Sequence, residues 1–172
     1  GVAMMLELAR RLKAGPAPGR DIYFLATTAE EPGLLGIRAF VKDPPVPLAS
    51  IVAAFNLDMM AVAPAGSPVG FIGRGKDAAL DEAVLAAIAK RSRTLGDQRL
   101  ADSFLQRQDG WALGAKGVPA LMVGGSFSDM KLLETYLAGD YHGPDDQFSD
   151  RLPLGGAAED ADLHVALLDP GE

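Results

Sequence analysis

Val2, Met5, Leu6, Ala9 and Leu12 recur at the spacing of one helix face, and Gly15-Pro16 closes that run. The period then changes. Residues 21–28, DIYFLATT, are apolar and β-branched in near succession, which predicts an interior strand. That strand stops at two adjacent glutamates, Glu30 and Glu31. PGLLGIRAFV predicts a helix with Pro32 near its first position, ended by Asp43-Pro44-Pro45. SIVAAFNLDMM predicts a second strand ending in Asp58, and PVGFIG a shorter third. Residues 77–95 predict a helix with Asp77, Asp81 and Glu82 near its N-terminus and Lys90, Arg91 and Arg93 near its C-terminus, the order the macrodipole favours. GVPALMVGG predicts a fourth strand, and residues 156–168 a closing helix.

Strands alternating with helices predict an α/β fold, a sandwich of helices on both faces of a mostly parallel sheet. At 172 residues and 48% apolar composition, one domain over 1–172 is expected, with core enough of its own. In open sheets of this class the site lies beyond the carboxyl ends of the strands. The unusual polar residues stand there: Glu30-Glu31 after the first strand, Asp58 at the end of the second, and GDYHGPDD beyond the fourth.

Composition narrows the chemistry. A net charge of −7 with scattered acidic residues argues against nucleic acid as a partner. The absence of cysteine removes disulfides, thiolate metal sites and cysteine nucleophiles. No window approaches the ~18 unbroken apolar residues of a membrane span, and no signal-peptide pattern opens the chain. The first helix begins at Gly1 with no Ser, Thr, Asp or Asn to cap it, so a further segment upstream is expected.

A carboxylate at the tip of an apolar strand must stay hydrated, find a partner or bind a cation. Taken alone, Glu30 and Glu31 read as solvated loop residues, but Asp58 has apolar neighbours on both sides in FNLDMM. His142, one of two histidines, lies in a loop between Tyr141 and Gly143-Pro144. Carboxylates and a neutral imidazole together suit zinc or a similar divalent ion, and a spare glutamate beside them suits a general base for hydrolysis. The rivals are weaker. GRGKDA, residues 73–78, matches a loose dinucleotide fingerprint but sits far from the first βα unit, and Ser126 in GGSFSD fails the nucleophile-elbow pattern. His164 reads as a partly exposed helix residue.

TTAEEPGLLG, FNLDMM, GAKGVPAL and YHGPDD, in that order and at these separations, resemble the zinc exopeptidases of peptidase family M-twenty-eight, the bacterial leucine aminopeptidase and aminopeptidase Y group. GVAMMLELAR resembles the helix that follows an Asp-Asp-Asn loop in that family. The resemblance implies a three-layer α/β/α zinc-exopeptidase fold with a mixed sheet. It assigns Glu30 as general base, Glu31 and His142 as ligands of one zinc and Asp58 as ligand of the other. Two zinc ions per complete site, a peptide substrate with a free N-terminus and aminopeptidase activity follow from it, as does a leaning toward export.

Since adjacent residues of a regular strand face opposite ways, the backbone is expected to leave strand geometry at Ala29-Glu30, so that both carboxylates reach one site. The family's His-x-Asp motif and bridging Asp have no counterpart here, so the chain is expected to lack its N-terminal portion and to turn over little or nothing by itself. Where many members read Ser-Asp-His, this chain reads Gln108-Asp109-Gly110. Asp109 and Tyr141 are then candidates for contact with the substrate or the ligands. A glutaminyl cyclase with one zinc, and a peptidase-like binding domain without metal, stand as alternatives. Oligomeric state is not readable.

Overall fold

The computed structural model describes residues 1–139, 141–150, 152 and 154–168, with Leu100 as backbone only. Three strands carry the centre: β1 (Ala54–Phe55), β2 (Gly70–Ile72) and β3 (Ala120–Gly124), in the order β1-β3-β2. β1 runs parallel to β3, with Phe55 opposite Leu121, while β2 runs antiparallel, with Phe71 opposite Val123. The sheet is therefore mixed.

β3 is buried along its whole length. Successive side chains of a strand point to opposite faces, so this strand feeds two cores. Leu121 and Val123 pack with Val84, Ala87 and Ile88 of α3 (Ala78–Lys90) and Leu163 of α7 (Leu154–Leu168). Met122 packs with Ala101 of α4 (Gln98–Ser103) and Leu133 of α6 (Met130–Ala138), and Ala120 with Ile37 of α2 (Leu35–Lys42) and Leu113 of α5 (Gly110–Gly114). α1 (Val2–Ala14) lies on α7, joined through Met4, Leu8 and Ala161. The result is the three-layer α/β/α sandwich expected from the sequence. No helix among the described residues is long and apolar enough to cross a membrane.

Four local expectations need correction. DIYFLATT joins no strand ladder among the described residues, and Tyr23, Phe24 and Leu25 are 61%, 43% and 41% exposed. A strand exists only through its hydrogen-bonded neighbours, and none among the described residues flanks this segment. The second helix starts at Leu35 rather than Pro32, because the preceding turn consumes Pro32-Gly33 and Leu34 adopts a left-handed φ of 60°. The third ends at Lys90 rather than 95: Ser92 turns at φ 53°, and Leu95 bridges to Val69. His164 is fully buried, edge-on to Phe55, with Nδ1 2.8 Å from the Asp160 carbonyl oxygen.

The dinucleotide fingerprint has another use. Gly75 N–H donates to Asp81 Oδ2 at 2.7 Å, and Leu80 N–H to the N-cap Asp77 Oδ1 at 2.9 Å. The amides that would meet a phosphate already hold carboxylates.

Candidate functional site

Thr28, Ala29 and Glu30 turn sharply into α2. Their carbonyl oxygens accept N–H bonds from Gly36 (3.0 Å), Leu35 (2.9 Å) and both Gly33 (3.0 Å) and Leu34 (2.7 Å) respectively. Ala29 sits at φ 54°, in the left-handed region, so the backbone does leave strand geometry where the paired glutamates required it. The last glycine of TTAEEPGLLG has its own reason: a Cβ on Gly36 would lie 2.4 Å from the Thr28 carbonyl oxygen.

Asp58 follows β1 and is exposed. Its Oδ1 accepts the N–H of Met59 at 2.8 Å, and Met59 is itself left-handed, at φ 49°. His142 adopts φ 57° in the loop after α6. Tyr141 stacks on its ring, centroids 3.8 Å apart at 18°, and Tyr136 lies against Tyr141 at 5.4 Å. Three of the five left-handed non-glycine residues described thus fall at or beside the predicted site residues. Such strain gathers where surrounding structure imposes a geometry.

His142 Nε2 lies 3.1 Å from Glu31 Oε1. Asp109 Oδ2 accepts a hydrogen bond from Thr27 Oγ1, whereas its Oδ1 is buried with no hydrogen-bond partner among the described residues. Thr27 carries no sequence signal that would mark it; its contribution follows from lying 82 residues from Asp109 in sequence and beside it in space. Gly110 is buried, and its N–H donates to Gln108 Oε1 at 2.7 Å, so the Gln108 side chain fills the space a larger residue at 110 would enter.

Electrostatics tie these groups into one cluster. Burial pushes the Glu30 carboxyl above its ordinary value; the negative charges of Glu31, Asp58 and Asp109 push it further, and His142 opposes them. Burial likewise raises the Tyr141 phenol, helped by Glu31, Asp58 and Glu30. The charges of Glu31, Asp58, Asp109 and His142 are thus felt at Glu30, while the direct contacts are the Glu31–His142 pair and the Tyr141–His142 stack. Asp140 of the GDYHGPDD stretch lies outside the described residues.

Whether a metal suits this donor set is a question of geometry. Among the described residues no three such side chains close on one point, so the set is open as it stands. The Glu31–His142 pair, however, has the spacing of two neighbouring ligands on a tetrahedral ion, about 3.3 Å for bond lengths near 2.0–2.1 Å. An oxygen and an imidazole nitrogen are also the atoms zinc accepts, and Asp58 keeps Oδ2 free of hydrogen bonds to the described residues. The donor types are therefore ones zinc accepts, while their arrangement among the described residues brings only two of them together.

The fold has solved counterparts. The zinc aminopeptidase from Bacillus subtilis superposes with a TM-score of 0.71 at 24% identity, covering 95% of this chain and 39% of that one. An aminopeptidase from Aneurinibacillus sp. strain AM-1 gives 0.68 at 21%, covering 96% and 37%. The chain thus spans about two fifths of the length of these structures. No curated protein sequence matches it. The sequence model of peptidase family M28 matches residues 1–166, nearly the whole chain, and the protein belongs to that family.

Proposed function

We propose that the cluster is a zinc site for hydrolysing the N-terminal residue of peptides, with Glu30 as general base, Glu31 and His142 as ligands of one ion and Asp58 of a second. The observation that carries this is the Glu31–His142 contact at 3.1 Å, with Glu30 next in sequence and its carboxyl pushed up by burial and by the charges of Glu31, Asp58 and Asp109. Held by Glu31, His142 and Asp58, zinc would supply a Lewis acid for a peptide carbonyl and would lower the pKa of water.

The chain's own residues divide the remaining work. Glu30, half-buried and with its proton affinity raised, accepts a proton from water better than a solvated carboxylate would. Tyr141 fixes the plane of the His142 imidazole by stacking, and its raised phenol keeps an O–H to donate at neutral pH. The negative charges of Glu30, Glu31, Asp58 and Asp109 favour the ammonium of a free N-terminus.

The test is zinc binding by native mass spectrometry and chelator competition on the 172-residue chain, with hydrolysis of leucyl and glutaminyl amides followed in parallel. With the ligand set incomplete, binding is expected to be weak and turnover slight. Glu31→Ala and His142→Ala should each abolish that binding, and Glu30→Gln should keep it while removing residual hydrolysis. Equal zinc affinity in the wild type and both ligand variants, or none in any, overturns the assignment.

A further inference from the structure

We propose that Ser126 is a positioning residue for Asp58, holding the turn that aims its carboxylate; this rests on the zinc-site reading above. Ser126 is 3% exposed, and its hydroxyl donates to the Met59 carbonyl oxygen. Met59 is left-handed at φ 49°, and its N–H in turn donates to Asp58 Oδ1. One peptide unit on each side of Met59 is therefore fixed, the first by Asp58 and the second by Ser126. With Oδ1 committed to Met59, Oδ2 is the oxygen left for a cation.

The support for Ser126 runs deeper into the fold. It lies in the short turn Gly125–Phe127 at the end of β3. Gly125 N–H donates at 2.9 Å to Asp160 Oδ2, and Arg93 Nη1 donates at 3.0 Å to Asp160 Oδ1. Asp160 is 1% exposed, so this is a buried charge pair set against a backbone amide. A Cβ on Gly124 would stand 2.7 Å from Asp160 Oδ2, which accounts for the glycine beside the turn. Arg93 also donates to the Ser67 carbonyl oxygen through Nη2 at 2.9 Å, tying the pair to the loop before β2. An anchor of this kind holds its turn rigidly, because a buried carboxylate deprived of either partner is costly. GGSFSD, which fails as a nucleophile elbow, has this as its role.

The chain itself, metal-free and zinc-loaded, provides the test. Ser126→Ala preserves volume and removes the donor. It is expected to speed hydrogen exchange of the Met59 amide at least ~10-fold in the metal-free chain and to weaken zinc binding by about 10-fold or more, as loss of a ligand's supporting partner does. Ser126→Thr, which keeps the hydroxyl, should restore both. Ser128→Ala is the control: Ser128 donates to Gly125 O in the same turn at 2.7 Å without touching Met59, so it should change neither. Unchanged Met59 exchange in Ser126→Ala, or equal acceleration in Ser128→Ala, overturns the proposal. If Asp58→Ala binds zinc as the wild type does, the zinc reading of Asp58 fails instead, and Met59 exchange still decides whether Ser126 holds the turn.

Discussion

GVPALMVGG and DIYFLATT look alike as sequences, both short, apolar and rich in residues that favour strands. In the fold they part completely. The first contains β3, paired on both edges, buried at every position and packed from both faces. The second has no ladder partner among the described residues and leaves Tyr23, Phe24 and Leu25 substantially exposed. An apolar run therefore states a capacity for burial, and neighbours decide whether it is realised. The polar end of the same weakly covered segment nevertheless reaches the candidate site, because the turn at Ala29 and the N–H bonds from Gly33, Leu34, Leu35 and Gly36 hold Glu30 and Glu31 locally.

The largest expected effect tests this contrast directly. Leu121→Ala removes a side chain 2% exposed at the centre of the sheet and should destabilise by about 2–5 kcal/mol. Leu25→Ala, in the open segment, should stay within about 0.5 kcal/mol. Urea unfolding of the two variants measures both. Comparable losses would mean that DIYFLATT is covered in solution and that the contrast is false.

That contrast also explains what the sequence made legible. β3 and α3 were readable because the forces that place them are local: a continuous apolar run, a capping Asp77 and charges sorted along the macrodipole. The departure from strand geometry at Ala29 was legible once the family resemblance gave both glutamates to one site, because adjacent residues of a strand face opposite ways. The start of α2 was not, because Pro32 is a strong helix signal while Glu30's carbonyl takes the Gly33 and Leu34 amides into a turn first. α4 and α5, of six and five residues, are too short to show a period. Ser126, Asp160 and His164 were opaque for another reason: their partners, Met59, Gly125 with Arg93, and Phe55, lie tens of residues away or more.

A second test uses the buried side of the sheet as a pH probe. His164 is enclosed and held neutral, its pKa driven below the ordinary 6.5 by burial, and its Nε2 has no hydrogen-bond partner among the described residues. As pH falls below about 6.5 the unfolded chain takes up a proton that the folded chain refuses. Stability is then full above that pH and is lost toward the lowered folded value, by up to about 1.4 kcal/mol per pH unit. His164→Leu should remove this loss; Asp160, common to both chains, largely cancels in the difference. Denaturant midpoints at pH 7.5 and 5.5 measure it. A difference between the two proteins that does not change with pH would show His164 to be reached by water, and with it the covered face of the sheet.

The smallest effect belongs to the open surface. Glu7 on α1 accepts two hydrogen bonds from Arg10, each 2.8 Å, and one from Arg11 at 2.7 Å. Those bonds lower its pKa from 4.5 to about 2. A lowered carboxylate adds stability above its unfolded pKa and gives it up as pH falls through the folded one, so the window is 4.5 down to 2, and the group is opposite in charge type to His164. Because the ion pair stands in solvent, salt weakens it, whereas enclosure protects His164 from screening. Glu7→Gln should therefore flatten only the acid limb of the melting curve, and 1 M salt should remove even that difference, while the effect of His164→Leu survives the same salt. Equal salt sensitivity at the two sites would erase the distinction between the covered sheet and the open surface on which the comparison rests.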